Sequence, residues 1–384
     1  MIILPRFVSL DTSTVSNLAS DYYSGESSKR DNAKMFRDGL IEAGWYLTVS
    51  SDHLIELAQH ANVGVVVSRF KFLRTFKNLA WIRNVEGTGI GSFLDIDCFE
   101  IRAVVDQKLR SKKLIANQVR KHLLVASTGD DLFRDRDVDL WIKLANQAKP
   151  GLLKSQSTAS ILRTEPVEGV REMKLREFLS ADYRDVKDIP RMAREFAAGM
   201  ATQIEKHGDK RVKGADDLAK DFYKQTLGHI GDIQAGQALR DGDSAFIESL
   251  AVAFAIPASV INLDMTVGQL GDWAHFSMML QKYSRKLGRA ITLEHVKPHE
   301  LLGWSLRLNL RDYQNQAKRV SGSDFGDRNL AYMLPYLDSC EVDKRTLDYL
   351  RRFASHNNPE FDYLNHRFKC NDYRTLLATL AAST

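Results

Sequence analysis

Cysteine is scarce in this chain: Cys98, Cys340 and Cys370 are the three among 384 residues. An odd, widely spaced set argues against a disulfide framework and suits a reducing compartment. Long apolar runs are missing as well. The longest, Leu250 to Ile256, is stopped by Pro257, far short of the roughly 20 residues that cross a bilayer. The opening stretch MIILPRF lacks the length and the basic start of a secretory signal. We therefore expect a soluble, cytoplasmic protein with no membrane partner. No Gly-x-Ser-x-Gly elbow occurs, which leaves a serine hydrolase of that type without support. There is no clean repeat period and no low-complexity tract. Charge of one sign does not dominate: the net charge is +5, which permits a polyanionic partner without requiring one. What is present, 44% hydrophobic and 27% charged residues, is the balance of a globular protein.

The pattern along the chain divides it in three. Residues 1–105 alternate strand and helix. Phe7 to Leu10 is a short apolar strand, and a helix from about Ala33 to Ala43 closes on Gly44, a suitable C-cap. Trp45 to Ser50 reads as a second strand. Ser50, Ser51 and Asp52 then offer cap oxygens to a helix carrying Leu54, Leu57 and Ala58. The run from Val65 to Ile82 reads as further helix, with Val65 to Val67 as an alternative short strand. Such alternation predicts an α/β fold on a parallel sheet. Residues 106–311 read as a large, mainly α-helical insertion domain. Its segments include Phe99 to Val125 at the border, Asp137 to Gln147, Ile189 to Lys206, Asp216 to Leu227, Ser244 to Phe254 and Val267 to Leu287. Residues 312–384 return to the first style. A helix spans Gly326 to about Leu334, Leu337 to Val342 is a strand ending at Asp343, and a strand and helix fall within Tyr363 to Leu380.

Two predicted strands thus end on aspartates, Asp11 and Asp343, and predicted helices carry Glu56 and Asp327 near their starts. Ligands of open α/β sheets sit outside the carboxyl ends of the parallel strands. If these strands are neighbours, the four carboxylates share one rim, where their mutual repulsion would raise each pKa. A divalent cation removes that penalty. Mg²⁺ and Mn²⁺ prefer oxygen ligands and can supply an activated water for phosphodiester chemistry. Helix capping is the simpler role for any one of these aspartates.

The segments VSLDTSTVSNLA, VSSDHLIELAQH and SDFGDRNLAYMLPYLDSCEVDKRTLDYL together resemble the motifs of the PIN-domain nucleases. The resemblance covers residues 1–105 and 312–384. It implies a PIN-like parallel sheet flanked by helices and metal-dependent endoribonuclease activity on RNA, with DNA sharing the same chemistry. It also implies Asp11, Glu56, Asp327 and Asp343 as ligands of Mg²⁺ or Mn²⁺. Asp324 competes with Asp327 for the third place, and Asp338 with Asp343 for the fourth. Thr12 and Glu100 are accessory candidates. The chain departs from the family in its long helical insertion, which would shape RNA access, form an oligomer interface or restrain the nuclease through a regulatory partner. A regulated defence or toxin role follows as an expectation. The rival is a catalytically inactive nucleic-acid-binding or scaffold protein on the same fold.

Other signals carry less. His53, Glu56 and His60 have helical spacing that could bring three ligands to one face, but no cysteine or second histidine cluster supports zinc. The stretch EGTGIGS, residues 86–92, looks like a phosphate loop but lacks its Lys-Ser/Thr ending, and a turn explains it better. Lys112, Lys113, Arg120 and Lys121 lie on a basic segment that could follow nucleic-acid phosphates or form a solvated face.

Overall fold

The computed structural model describes residues 5–87, 89–133, 138–147, 172–180, 197–199, 201–202, 204–205, 214–220, 242–315, 330–355, 364, 366–370 and 372–381. The chain divides into two compact units: residues 1–151, 299–314 and 325–384 form one, and residues 152–298 with 315–324 the other.

The first unit is built on a six-stranded mixed sheet flanked by helices, in the order β4-β3-β2-β1-β5-β6. In chain order its elements begin with β1 (Arg6–Ser9), α1 (Thr12–Tyr22), α2 (Ser27–Glu42), β2 (Trp45–Val49) and α3 (Ser51–Ala58). There follow α4 (Val63–Arg74), β3 (Leu79–Ile82), α5 (Phe93–Ile101), α6 (Lys112–Leu123), β4 (Leu124–Ser127) and α7 (Gly129–Phe133). After the second unit come the helix Leu302–Asn315, β5 (Ser339–Glu341), the helix Lys344–Ser355, β6 (His366–Phe368) and the helix Leu376–Ala381. Strands β1, β2, β3, β5 and β6 run parallel, and β4 pairs antiparallel with β3. Parallel sheets are covered on both faces, and the strands read accordingly: Val8, Leu47 and Leu79 are wholly buried against Leu18, Leu54, Phe70 and Phe72.

Three features depart from the sequence reading. Helix α4 stops at Arg74, and Leu79–Ile82 is strand rather than continued helix. All four of its residues are buried, and a short, wholly apolar run has no periodicity to separate strand from helix. The segment read as one helix to Val125 breaks into α5, a π-helical turn at Arg102–Asp106, α6 and strand β4. Residues 106–151, grouped by the sequence with the helical block, lie in the sheet unit, because β4 completes the sheet edge beside β3.

At that edge the chain turns on Gly129. Its N–H donates to the Phe76 carbonyl at 2.8 Å. A Cβ there would strike the Leu73 carbonyl oxygen and lie 2.7 Å from Arg74 Cα. The obstacles are backbone and cannot rotate away. Gly129→Ala should therefore destabilise the unit by about 2–3 kcal/mol, the upper range for overpacking. The shift of its urea midpoint at unchanged m-value reads this out, and an unaltered midpoint would refute the tight corner.

In the second unit, the helix Val267–Leu287 begins on a reciprocal Thr266–Gln269 capping box and ends on Gly288 at φ 66°. The first turns satisfy their own donors, and glycine takes the left-handed exit cheaply. Ser277 ties this helix to the end of the helix Asp243–Phe254 by donating to the Ala255 carbonyl at 2.7 Å. Among the described residues no helix is long and apolar enough to cross a membrane.

Candidate functional site

The sheet order reverses direction between β1 and β5: β2 and β3 extend to one side of β1, and β5 and β6 to the other. Helical connections leave such a switch point on opposite sides and open a crevice at the carboxyl ends of the two strands. Asp11 lies two residues beyond β1. Asp343 lies two residues beyond β5, and Ser9 pairs with Cys340 across the strands. Both predicted strand-end aspartates therefore stand on the same rim of the sheet.

Each also caps a helix. Asp11 Oδ1 accepts from Ser13 N–H at 2.7 Å at the start of α1. Asp343 accepts from Arg345 N–H at 3.0 Å and Thr346 N–H at 2.7 Å. Such bonds satisfy amides that have no partner inside the helix. They do not exhaust a carboxylate, which offers about four lone-pair positions. At Asp11 the second oxygen, Oδ2, takes no part in the cap.

Between these aspartates the structure adds a carboxylate that the sequence reading missed. Glu341, the last residue of β5, is only 4% exposed. Its Oε2 accepts from Asp11 N–H at 3.0 Å and its Oε1 from the Thr14 hydroxyl at 2.9 Å. Burial pushes its pKa up to about 7; the two hydrogen bonds pull it down, and the Asp11 charge raises it further. A glutamate between Cys340 and Val342 in a predicted strand was the available signal, since a buried charge needs a reason to be there.

Glu56 joins from α3. Desolvation raises its pKa first, although much of the residue faces solvent; the Thr12 hydroxyl bonds it and lowers it, and Asp11 and Asp52 raise it again. Thr12 thus reaches the rim as a partner of Glu56. His53 lies beneath. Its Nδ1 accepts from Ser50 N–H at 3.1 Å, completing the cap of α3. Its Nε2 is buried without a hydrogen-bond partner among the described residues. Burial lowers the His53 pKa to about 4 against a raising influence from Asp11, so the ring is neutral. His60 bonds the Asn62 N–H at 3.0 Å. Each histidine of the possible zinc set thus commits one ring nitrogen, Nδ1, to a backbone amide.

Asp324 and Asp327 lie outside the described residues. Asp338 is separated from the rim: it accepts from Phe7 N–H and from Arg120, both at 2.7 Å, at the amino ends of β1 and β5. Arg120 also lies over the Phe7 ring at 5.6 Å, so this predicted phosphate contact serves to fasten α6 to the opposite end of the sheet. Lys113 and Lys121 are exposed, and Lys112 is half-buried. Glu100 is wholly buried and points into a different network. It accepts from Gly303 N–H at 2.9 Å and from the Tyr336 hydroxyl. Burial, then Asp97, raises its pKa.

The rim donors are all oxygen, the chemistry that Mg²⁺ and Mn²⁺ favour. No cationic side chain pairs with Asp11, Glu56, Glu341 or Asp343 among the described residues, so their negative charge is left for something else to balance. By donor type and charge they fit a hard divalent ion. Among the described residues, however, no group of three or more His, Cys, Asp or Glu is arranged to hold a metal. Beside the rim opens a polar cleft of about 310 Å³, lined by Ser13, Thr14, Asn17, Asp21, Cys370 and Asp372 among others. Its hydroxyls and carboxylates offer no fixed positive charge to a phosphate. The half-buried Cys370 thiol is pushed up to about 12 by burial, then by Glu341 and Asp372, and is no nucleophile at neutral pH. No family model, curated protein or solved structure matches the chain.

Proposed function

We propose that this protein is a metal-dependent endoribonuclease of PIN-like architecture, with its centre on the acidic rim. The observation that carries this reading is the uncompensated charge at the sheet's switch point. Asp11 lies close enough to both Glu341 and Glu56 to raise the pKa of each, and none of the three has a cationic partner among the described residues. Clustered carboxylates repel, and a fold keeps them together at a cost unless a cation offsets it. Asp11, Glu56 and Asp343 would hold Mg²⁺ or Mn²⁺, with Asp327 or Asp324 as a further ligand.

Such an ion supplies an activated water and offsets charge on a phosphodiester. The remaining tasks fall to the chain. The Ser13 and Thr346 amides fix the two aspartates as rigid caps. Thr14 and the Asp11 amide orient Glu341, a buried carboxyl behind the proposed ligands. Hydroxyls of the adjoining cleft give hydrogen bonds to a ribose. The helical unit would govern access or regulation, in line with a defence or toxin role.

The scaffold reading draws on one specific observation: Asp11 and Asp343 both already have structural work as helix caps. Mn²⁺ titration and cleavage of labelled single-stranded RNA separate the two. The nuclease binds Mn²⁺ through the rim and cuts RNA in a manner abolished by EDTA. A protein that neither binds the ion nor cleaves is the scaffold.

A further inference from the structure

A second cleft lies in the sheet unit, lined by residues other than those of the acidic rim. It is about 550 Å³ and sits where the chain leaving β3, the end of α5 with its π-helical turn, and α6 meet. Arg83, Asn84, Arg102, Gln107, Gln118 and His122 line it, with one carboxylate, Glu86, and one aromatic ring, Phe99. The volume falls in the range of small-molecule sites.

Arg83 and Arg102 are the informative pair. Neither guanidinium has a hydrogen-bonded or ion-pair partner among the described residues. Arg102 only lies over the Phe99 ring, at 5.9 Å. Surface arginines are common, but these two converge on one concavity from different elements.

The walls are also fixed in advance. Arg83 N–H donates to the Leu123 carbonyl at 2.7 Å, and Arg83 is bridged to Ile90. Gly91 approaches the Arg83 backbone so closely that a Cβ would lie 2.5 Å from its carbonyl oxygen. The fully buried Asp95 holds Val85 N–H at 2.8 Å and Ser92 N–H at 2.7 Å. On the other wall, π-helical turns are rare and recur at functional sites. Lys108, just after it, takes φ 54°, a conformation that costs a non-glycine residue energy. A loop clamped by a buried carboxylate and a strained turn are the backbone of a preorganised site.

We propose that this cleft binds a nucleotide, with its phosphate on Arg83 and Arg102. Guanidinium groups meet phosphate oxygens in paired, planar hydrogen bonds. The Gln107 amide offers both donors and an acceptor to a base edge. Asn84 Oδ1 already accepts from Glu86 N–H at 2.8 Å and Gln118 Nε2 bonds His122 Nε2 at 3.2 Å, so these two amides contribute their remaining groups. Glu86 accepts from a ribose hydroxyl or an exocyclic amine. The same chemistry is found in a free mononucleotide and in one unit of an RNA strand. The stretch 86–92, which the sequence suggested as a turn rather than a phosphate loop, contributes Glu86 and Gly87 to this wall.

The test is calorimetric titration of the full chain in EDTA with AMP, GMP, CMP, UMP, inorganic phosphate and a hexanucleotide RNA. Without divalent ions the acidic rim is neither loaded nor active, so the result is independent of the nuclease reading. Binding of a mononucleotide, weakened about tenfold or more by either Arg83→Gln or Arg102→Gln and unchanged by Lys71→Gln on the exposed face of α4, supports the site and a free ligand. Binding of the hexanucleotide alone, with the same dependence, supports it as a station for an RNA chain. No binding by any nucleotide probe, binding indifferent to both arginines, or inorganic phosphate binding as tightly as the nucleotides overturns the proposal. Arg83 is exposed and Arg102 half-buried, and equal unfolding midpoints confirm that the variants remain folded.

Discussion

Asp11→Asn should lower Mn²⁺-dependent RNA cleavage by about a hundredfold or more, close to 3 kcal/mol of transition-state stabilisation, while the protein stays folded. Asp11 has two duties that this substitution separates. As the cap of α1 it needs one oxygen to accept from Ser13 N–H, and asparagine does this nearly as well as aspartate. As a ligand it needs its negative charge, which asparagine lacks. Asp11→Ala removes both and should also cost about 1 kcal/mol of stability. The pair of variants is therefore diagnostic: the cap reading requires Asn to be harmless and Ala harmful, whereas the ligand reading requires both to be inactive. Asp343→Asn should behave as Asp11→Asn does. Cleavage of a labelled RNA pool, with thermal unfolding measured in EDTA, provides the comparison. Full activity in both asparagine variants would sink the assignment.

Glu341 and His53 should give the metal-free protein two opposed pH dependences. Folding raises the Glu341 pKa from 4.5 to about 7. Its burden is absent below pH 4.5, grows as the pH rises, and is complete above 7, since over that range the unfolded chain has lost a proton that the folded chain keeps. Folding lowers the His53 pKa from 6.5 to about 4. Its contribution is intact above pH 6.5 and is lost as the pH falls towards 4, where the unfolded chain takes a proton that the folded one refuses. The two slopes largely cancel in the native sequence. Glu341→Gln breaks the balance. In EDTA the variant should gain on the native protein as the pH rises from 4.5 to 7.5, reaching on the order of 3 kcal/mol. Urea midpoints across pH 4 to 8 give the difference curve. A difference that stays flat with pH would mean that Glu341 is not a strained buried carboxyl.

The sequence made the rim partly legible because Asp11 and Asp343 punctuate short apolar runs, and a charge in that place is conspicuous. Glu341 was hidden for the opposite reason. It stands inside the run, and only the parallel pairing of β5 with β1 shows that its carboxyl meets the Asp11 amide. Strand β3 could not be told from helix because Leu79 to Ile82 are buried on every side. Strand β4 was invisible for a related reason: its residues follow α6 without a break and are only partly covered, so the helical pattern ran through them. The basic residues of α6 read alike as phosphate contacts or a solvated face, because nothing local says which end of the sheet a helix will reach. Arg120 is claimed by Asp338, 218 positions away.

That separation in sequence has a consequence for the life of the chain. The Glu341 carboxyl meets the Asp11 amide across 330 residues, and β1 has no neighbour on one side until β5 arrives. A ribosome adding about 5–20 residues per second would need roughly 15–70 s to bridge that gap. During that interval strands β1 to β3 can form, but the rim is half a site. The nascent protein is born without its complete acidic centre and acquires it only when the last fifth of the chain closes the sheet. Closure of so long a loop is also slow in its own right. If the proposed nuclease reading holds, the topology itself would keep the nascent chain inactive until β5 is in place.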